Sequence, residues 1–162
     1  MLTAKQIKEQ IHYDPETGLI KWKVKKYNQC LNREYAGFIN AQGRPAVIIL
    51  GHRILVHQVA WVYMTGVYPD KQIDHIDGNP TNNRWINLRQ ANSSENRQNL
   101  RKAMANNISG YLGVNYRKDT GKYRARIRLD GKLIQLGNYE TAEEAYAAYV
   151  VKKREIHPFC TI

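Results

Sequence analysis

The sequence predicts an α+β fold in which a mixed first half is followed by a small three-stranded antiparallel sheet packed on one helix. Three observations carry this prediction. The alternating segment around Gly51 is typical of a hairpin, Asp130-Gly131 is a strong hairpin-turn signal, and Thr141 with Glu144 forms a capping box that opens a helix. At 162 residues the chain suits one medium domain or two small ones.

The first hundred or so residues are predicted to form short elements that support a polar segment. In chain order these are a helix capped by Thr3 and running through His12, a turn over 14–18, a strand over 19–24, a hairpin over 44–56, a helix over 56–65 that stops at Gly66, a strand that ends at Asp74-His75, a polar turn over 77–80, a short ordered piece over 85–89, and a helix capped by Asn92 and Glu95 that runs to about Ala103. We expect residues 78–83 to do no more than turn the chain.

The C-terminal third is predicted to form strands over 112–117, 122–129 and 132–136, a break at Gly137-Asn138, and a helix that runs to about Arg154. Successive residues of a strand point to opposite faces. The segment YRARIRL therefore puts its apolar residues against the alanine-rich helix and Arg124, Arg126 and Arg128 on the other face, which Asn115, Arg117 and Gln135 could share. Such a face is either a solvated sheet surface or a ribbon that enters the major groove of DNA.

The composition favours an intracellular protein that binds a polyanion. The formal net charge is +11 and the isoelectric point is near 9.7, so nucleic acid is the leading class of partner. The two cysteines, Cys30 and Cys160, are too few for a disulfide scaffold or a multi-cysteine zinc site. No signal-peptide core and no stretch of roughly 20 apolar residues is present. We expect a cytoplasmic protein with no membrane partner.

The segment IDHIDGNPTNNRWINLRQANSSEN, residues 73–96, carries the candidate chemistry. Phosphodiester cleavage needs a proton acceptor that works near neutral pH, such as histidine, and a hard divalent cation held by oxygen atoms. His75 could be the base, Asp74 and Asn96 could supply oxygens, and Asn87 could hold the loop. Each residue taken singly also has an ordinary explanation as a structural histidine or a turn residue. Neighbouring strand residues point to opposite faces, so the strand must end or twist at Asp74-His75 for both to reach one phosphate.

The whole segment resembles the HNH nuclease motif, in the H-N-N form found in phage homing endonucleases. The resemblance implies a ββα-metal core, with His75 as general base, Asp74 and Asn96 as ligands of one divalent metal, and Asn87 as a structural residue. It implies Mg²⁺, with Mn²⁺ able to substitute, and no structural zinc because the necessary cysteines are missing. It places the endonuclease domain at 1–101, with its motif core at 53–101. His57 is expected mainly to give packing or polar support beside the site, with contact to phosphate as the alternative.

The last third, SGYLGVNYRKDTGKYRARIR and GKLIQLGNYETAEEAYAAY, resembles the AP2 DNA-binding domain, which places that domain at 109–162 after a linker at 102–108. The resemblance implies DNA-facing roles for Asn115, Arg117, Arg126 and Arg128, to which the alternation adds Arg124 and Gln135. Gln135 stands where plant members usually have tryptophan, so the base sequence read here should differ. Other candidates for contact with backbone phosphates, or for a solvated helix face, are Arg84, Arg89, Arg97, Arg101 and Lys102.

These features predict a metal-dependent endonuclease that acts on double-stranded DNA as a monomer or weak dimer, with no small-molecule cofactor. The alternative is a DNA-binding regulator whose nuclease half is catalytically inactive. RNA is a weaker candidate substrate because a groove-reading sheet suits B-form DNA better than A-form RNA.

Overall fold

A computed structural model of the protein describes residues 1–23 and 35–162. Cys30 and the end of the strand predicted over 19–24 lie outside these residues. The described chain forms two compact units, Met1–Asn92 and Ser93–Ile162. In both, helices accompany small antiparallel sheets, so the predicted α+β class is confirmed. None of the described helices combines the length and apolar character needed to cross a membrane.

The first unit consists of short elements joined by turns. In chain order they are α1 (Ala4–Gln10), β1 (Ile11–Tyr13), β2 (Ile20–Trp22), β3 (Phe38–Ile39), β4 (Pro45–Ile49), β5 (His52–Leu55), α2 (Val56–Thr65), β6 (Gln72–His75), a 3-10 helix (Trp85–Asn87) and β7 (Leu88–Ala91). The pairings are β1 with β2, β3-β4-β5, and β6 with β7, all antiparallel.

The helix boundaries of this unit follow from local chemistry. Thr3 caps α1 through a capping box with Gln6, but the helix ends at Gln10, so the prediction that it runs through His12 is wrong. Ile11 and His12 instead pair with Trp22 and Lys21 in the β1–β2 ladder. Helix α2 has the predicted bounds, and Gly66 ends it in the left-handed conformation with φ of 82°.

The core of the first unit lies between α1, α2 and the strands. Ile7, Ile11, Val47, Ile49 and Val59 are each completely buried in it. At its edge Trp61 of α2 packs against Trp85 of the 3-10 helix, with ring centroids 5.2 Å apart. This contact fixes α2 against the segment that links β6 to β7.

The second unit contains α3 (Ser93–Gln98), β8 (Val114–Arg117), β9 (Lys122–Leu129), β10 (Lys132–Tyr139) and α4 (Ala142–Ile156). The strands form one antiparallel sheet in the order β10-β9-β8. Ala125 and Ile127 of β9 pack with Ala145 and Tyr149 of α4, so the predicted sorting of the two strand faces is confirmed. Thr141 and Glu144 form the predicted capping box.

Two predictions for this unit are wrong. The break expected at Gly137-Asn138 is a register shift between Gln135 and Gly137, after which β10 continues pairing to Tyr139. Helix α3 ends at Gln98 and not near Ala103. The residues after it bond to the end of the chain instead, because Asn99 Oδ1 accepts a hydrogen bond from Thr161 Oγ1 at 2.6 Å and the Leu100 carbonyl accepts one from Lys153 Nζ.

Along the chain, the first compact unit ends at Asn92 and the second begins at Ser93. This boundary lies inside the segment that the motif assigns to the nuclease. Residues 93–101 therefore pack with the second unit, whereas the sequence motif groups them with the first. The assignment of domains by motif stays a prediction.

Candidate active site

The β6–β7 pair carries the candidate catalytic residues. Asp74 lies opposite Arg89 and His75 lies opposite Leu88. Strand β6 ends at His75, whose carbonyl accepts a hydrogen bond from the Gly78 N–H at 2.9 Å. The expectation that the strand ends at the Asp74-His75 pair is therefore confirmed. Both side chains are buried, with exposures of 6% and 7%.

The loop after β6 is organised around Asp77 and Asn87. Asn87 accepts a hydrogen bond from the Asp77 N–H at 3.0 Å, and its Nδ2 donates to Asp77 Oδ1 at 2.9 Å and to the Asn82 carbonyl at 2.8 Å. Burial on its own would raise the pKa of Asp77, but hydrogen bonds from the Asn79 N–H and from the side chains of Asn82 and Asn87 outweigh it and lower that pKa. Asn87 thus bonds loop backbone groups, as the sequence led us to expect.

His75 is held by Asn83. His75 Nε2 lies 3.0 Å from Asn83 Oδ1, and Asn83 Nδ2 donates to the Thr81 carbonyl at 3.2 Å. The second bond orients the amide so that its oxygen faces the histidine. Because an amide oxygen can only accept, Nε2 carries the proton of this hydrogen bond. Nδ1 is then the ring nitrogen that can take up a proton.

Asn83 was not predicted as a site residue, because it lies in the segment that was expected only to turn the chain. Asn83 is 2% exposed, and its carbonyl accepts a hydrogen bond from the Tyr13 hydroxyl at 2.8 Å. The backbone of residues 83 and 84 also packs against Gly18, where an added Cβ would lie 2.5 Å from Arg84 N. These contacts come from a segment some seventy positions away, so no local pattern reports them.

Asp74 is paired with Arg89. Arg89 donates from Nε at 3.0 Å and from Nη2 at 2.9 Å, both to Asp74 Oδ2. The pair is mostly buried, with side-chain exposures of 23% for Arg89 and 7% for Asp74. Arg89 was predicted to contact backbone phosphate, and the structure gives its guanidinium a second role, which is to orient the carboxylate.

His57 adds a second imidazole beside His75. The two ring centroids are 5.3 Å apart and the rings meet edge to face. Burial, followed by the charges of His75 and Arg44, lowers the pKa of His57 to about 4. His57 is therefore neutral at neutral pH, which fits the expected packing role and adds no positive charge next to His75.

Part of the chain that holds this geometry is similar to known proteins. Residues 55–98 match the model of a family described as HNH endonuclease. Protein 3.8 of Escherichia phage T7 is 33% identical over 102 residues, which are 62% of this chain and 83% of the phage protein. The chain belongs to the family of phage T7 Protein 3.8. It carries an HNH endonuclease domain, so that part of the resemblance is confirmed. No solved structure matches the chain significantly.

The HNH domain match includes all four motif residues, but they are divided between the compact units. Asp74, His75 and Asn87 belong to the first unit, and Asn96 lies on α3 in the second. Among the described residues, no group of three or more His, Cys, Asp or Glu side chains could hold a metal ion. The carboxylate of Asp74 and the amide oxygen of Asn96 are each the kind of donor that a hard cation prefers.

Outside the HNH match, the register of the second sheet brings the predicted DNA-binding residues together. Asn115 lies opposite Arg124, and Gln135 lies opposite Arg126. Residues directly opposite each other project from the same face of a sheet. One face therefore carries all six of the residues that the sequence singled out, which are Asn115, Arg117, Arg124, Arg126, Arg128 and Gln135.

The hydrogen bonds of this face leave positive charge uncompensated. Arg117 pairs with Asp119, whereas Arg126 Nη2 donates to the neutral Asn115 Oδ1 at 2.6 Å. Burial and the charge of Arg124 lower the pKa of Arg126. The Arg124 Nε atom is buried without a hydrogen-bond partner.

Two further arginines that were predicted to bind phosphate lie in and after α3. Arg97 Nε donates to the Ser93 carbonyl at 3.2 Å, and Arg101 donates to Thr161 Oγ1. Both are exposed. Contact of any of these side chains with DNA stays a prediction.

Proposed function

We propose that this chain is a metal-dependent DNA endonuclease, which hydrolyses phosphodiester bonds with its HNH domain and is directed to duplex DNA by its basic C-terminal region. The observation that carries the proposal is the His75–Asn83 hydrogen bond at the end of β6, within the residues that match the HNH family. This hydrogen bond keeps one particular ring nitrogen of His75 protonated. A general base needs this, because the opposite nitrogen must accept the proton.

In the proposed reaction, His75 Nδ1 takes a proton from a water molecule as that water attacks phosphorus. Asn83 keeps Nε2 protonated before the transfer and accepts a hydrogen bond from the imidazolium after it. Asn87 keeps the loop closed through Asp77, so that Asn83 stays in reach of the ring. His57, which burial keeps neutral, does not oppose the positive charge that His75 gains.

A divalent metal would be held by Asp74 and Asn96, and Mg²⁺ suits these oxygen donors, with Mn²⁺ able to replace it. When bound, it would stabilise the negative charge that develops on the phosphate and the leaving 3′ oxygen. Arg89 orients Asp74 through two hydrogen bonds to Oδ2. Because this salt bridge also neutralises part of the carboxylate charge, we expect weak metal binding that strengthens when DNA phosphate is present.

We assign the nuclease to residues 1–101 and an AP2-like DNA-binding domain to residues 109–162, joined by 102–108. Support for the second assignment is the sheet face on which the arginines of β9 lie between Asn115 on β8 and Gln135 on β10. Arginine pairs with guanine and asparagine or glutamine with adenine in the major groove. The protein would act in the cytoplasm, as a monomer or a weak dimer.

A DNA-binding regulator without nuclease activity is the second candidate. The observation that favours it is the Asp74–Arg89 salt bridge, because a carboxylate that is already paired with a guanidinium needs no metal to be stable. In this case the second unit would bind DNA and the HNH domain would serve as a scaffold.

Supercoiled plasmid separates the two candidates. Purified protein with Mg²⁺ or Mn²⁺ is expected to convert it to nicked or linear DNA, and EDTA or His75→Ala is expected to stop the conversion while gel-shift binding persists. DNA binding without cleavage in either metal would contradict the nuclease and support the regulator. Cleavage that persists undiminished in His75→Ala would contradict the role of His75.

A further inference from the structure

Strand β9 extends well past its neighbour β8. Residues 122–125 of β9 pair with β8, but β9 continues to Leu129. Beyond the pairing, the Arg126 N–H donates to the Gly113 carbonyl at 2.8 Å and the Arg128 carbonyl accepts from His157 Nε2 at 2.9 Å. The end of the ladder thus opens a gap beside β9 that is bordered by chain segments and not by a strand.

A cavity of about 480 Å³ lies at this gap, within the second unit. Its wall is apolar where Leu112, Ile127 and Tyr149 contribute. The polar residues of the cavity wall include Arg97, Asn115, Arg126, Arg128, Asp130 and His157. The cavity is much larger than one phosphate group and has the size of a sugar-phosphate unit with room for water.

The cavity is strongly positive. Three guanidiniums line it against one carboxylate, that of Asp130. Among the described residues, none of Arg97, Arg126 and Arg128 takes part in an ion pair. The side-chain hydrogen bonds of Arg97 and Arg126 go to neutral oxygens, the Ser93 carbonyl and Asn115 Oδ1. Guanidiniums that converge without anions repel each other, and an anion between them would remove that repulsion.

His157 adds a hydrogen-bond acceptor to the wall of the cavity. It is 7% exposed, lines the same cavity, and its Nδ1 atom is buried without a hydrogen-bond partner. A carbonyl can only accept, so Nε2 carries the proton that is donated to Arg128 O. Buried polar atoms in folded proteins nearly always have partners. Nδ1 is an acceptor in this tautomer, so it would bond a donor such as a water molecule beside the phosphate, and not the phosphate oxygens themselves.

We propose that this cavity binds a phosphodiester group of the DNA backbone, with the deoxyribose against the apolar wall. The proposal rests on the proposed function, because it takes DNA to be the substrate. It differs from groove reading by the sheet face, since phosphate contacts fix position without reading sequence. Arg97 lies on α3, within the residues that match the HNH family, so one bound strand would contact both the sheet and the end of that match.

Charge reversal in the cavity is the first test. Arg97→Glu is expected to weaken binding of a labelled duplex about tenfold in fluorescence anisotropy and to lower the slope of log Kd against log salt by about 1. Arg97→Lys should restore most of the affinity. Lys5→Glu makes the same charge change on the exposed surface of α1 and serves as the control. Equal affinities for Arg97→Glu and Lys5→Glu would overturn the proposal.

Filling the cavity without a charge change is the second test. Leu133, which lines the cavity, is 53% exposed and tolerates a larger side chain, so Leu133→Trp is expected to weaken binding severalfold with an unchanged melting temperature. Val151→Trp, at a position that is 68% exposed on α4, is the matched control. Loss of affinity in both variants, or in neither, would contradict a ligand in this cavity.

Two further measurements separate the possible outcomes. Titration with deoxyadenosine monophosphate and inorganic phosphate distinguishes a free nucleotide from the DNA backbone, and tight nucleotide binding with duplex affinity indifferent to Arg97 would overturn the proposal. Plasmid nicking is measured in parallel. If the wild-type protein binds DNA through Arg97 but does not cleave it, the nuclease fails and the cavity stands. If it cleaves and Arg97→Glu binds normally, the cavity fails and the nuclease stands.

Discussion

Polar side chains have different kinds of partner in the loop of the HNH domain and on the arginine face, the sheet surface of the second unit that carries Arg124, Arg126 and Arg128. In the loop, Asn87 donates a hydrogen bond to Asp77 and Asn83 bonds His75. The carboxylate of Asp74 forms a salt bridge with Arg89. On the arginine face, Arg126 donates to a neutral amide and a nitrogen of Arg124 is buried without a partner. The named polar groups of the loop therefore have protein partners, whereas the arginine face keeps a buried guanidinium nitrogen without one.

This difference is what we expect if the loop orients a catalytic group and the arginine face binds DNA. A catalytic group must be oriented before the substrate arrives, since the free energy of ordering is then not lost during the reaction. A DNA-binding surface gains its affinity from charges that remain uncompensated until phosphate replaces counterions. The polar contacts of each region therefore match the role proposed for it.

Removal of the Asn83 side chain should have the largest effect, because it removes the hydrogen bond to His75 in the loop. Asn83→Ala is expected to lower the rate of plasmid nicking about 100-fold while DNA affinity changes little, since the orienting partner of His75 is lost. Asn106→Ala, at an exposed position outside the loop, makes the same change, is the control and should stay within about twofold. Equal losses in the two variants would contradict a specific role for Asn83.

Removal of two arginines tests the arginine face. Arg126→Ala combined with Arg128→Ala should weaken duplex binding by one to two orders of magnitude, that is about 10- to 100-fold, and lower the salt slope by roughly 2. Melting of the variant should be unchanged or higher, because two neighbouring like charges are gone. Unchanged affinity across a salt series would exclude this face as the contact surface.

Gly18 tests whether the loop depends on the N-terminal segment. Gly18 and Gly43 have φ values of 74° and 71°, but only Gly18 would bring an added Cβ within 2.5 Å of other backbone, while Gly43 has open space. Gly43→Ala should cost about 1 kcal/mol of unfolding free energy for its left-handed backbone. Gly18→Ala should cost about 3 kcal/mol because a clash is added. Equal costs in urea unfolding would show that the contact at residues 83 and 84 is unimportant.

The smallest effect concerns His57. Its pKa is about 4 in the folded protein and near 6.5 in an unfolded chain. Between these values the unfolded chain binds a proton that the folded protein does not, so stability is lost as the pH falls through this window. From about pH 7 to pH 5, His57 should account for about 2 kcal/mol, which His57→Phe removes. An identical pH dependence in the variant, measured by urea unfolding, would contradict a buried neutral His57.

Much of the fold was accessible from sequence because the signals are local. Helix α2, strand β9 and the Thr141 capping box follow from periodicity and capping, and all were predicted correctly. The end of α3 was not, because Asn99 and Leu100 bond to residues near the end of the chain in place of continuing the helix. Tertiary hydrogen bonds of this range leave no mark on local propensity.

The residues of the candidate site also fall into those that a local pattern predicts and those that depend on tertiary contacts. The motif pointed to His75, Asp74, Asn87 and Asn96, and the structure adds the partners Asn83 and Arg89. Arg89 could have been inferred from strand pairing, since it lies opposite Asp74. Asn83 could not, because its burial depends on Tyr13 and on the close approach of Gly18. Whether these residues catalyse a reaction stays a prediction.

Measuring the tautomer of His75 tests most directly whether the HNH loop orients this ring for proton abstraction. In a ¹⁵N-labelled sample at neutral pH, two-bond ring couplings identify which nitrogen carries the proton, and His75→Gln identifies the signals. We expect the proton on Nε2 and none on Nδ1, and we expect Asn83→Ala to lose this preference. A proton on Nδ1 in the wild-type protein would contradict it.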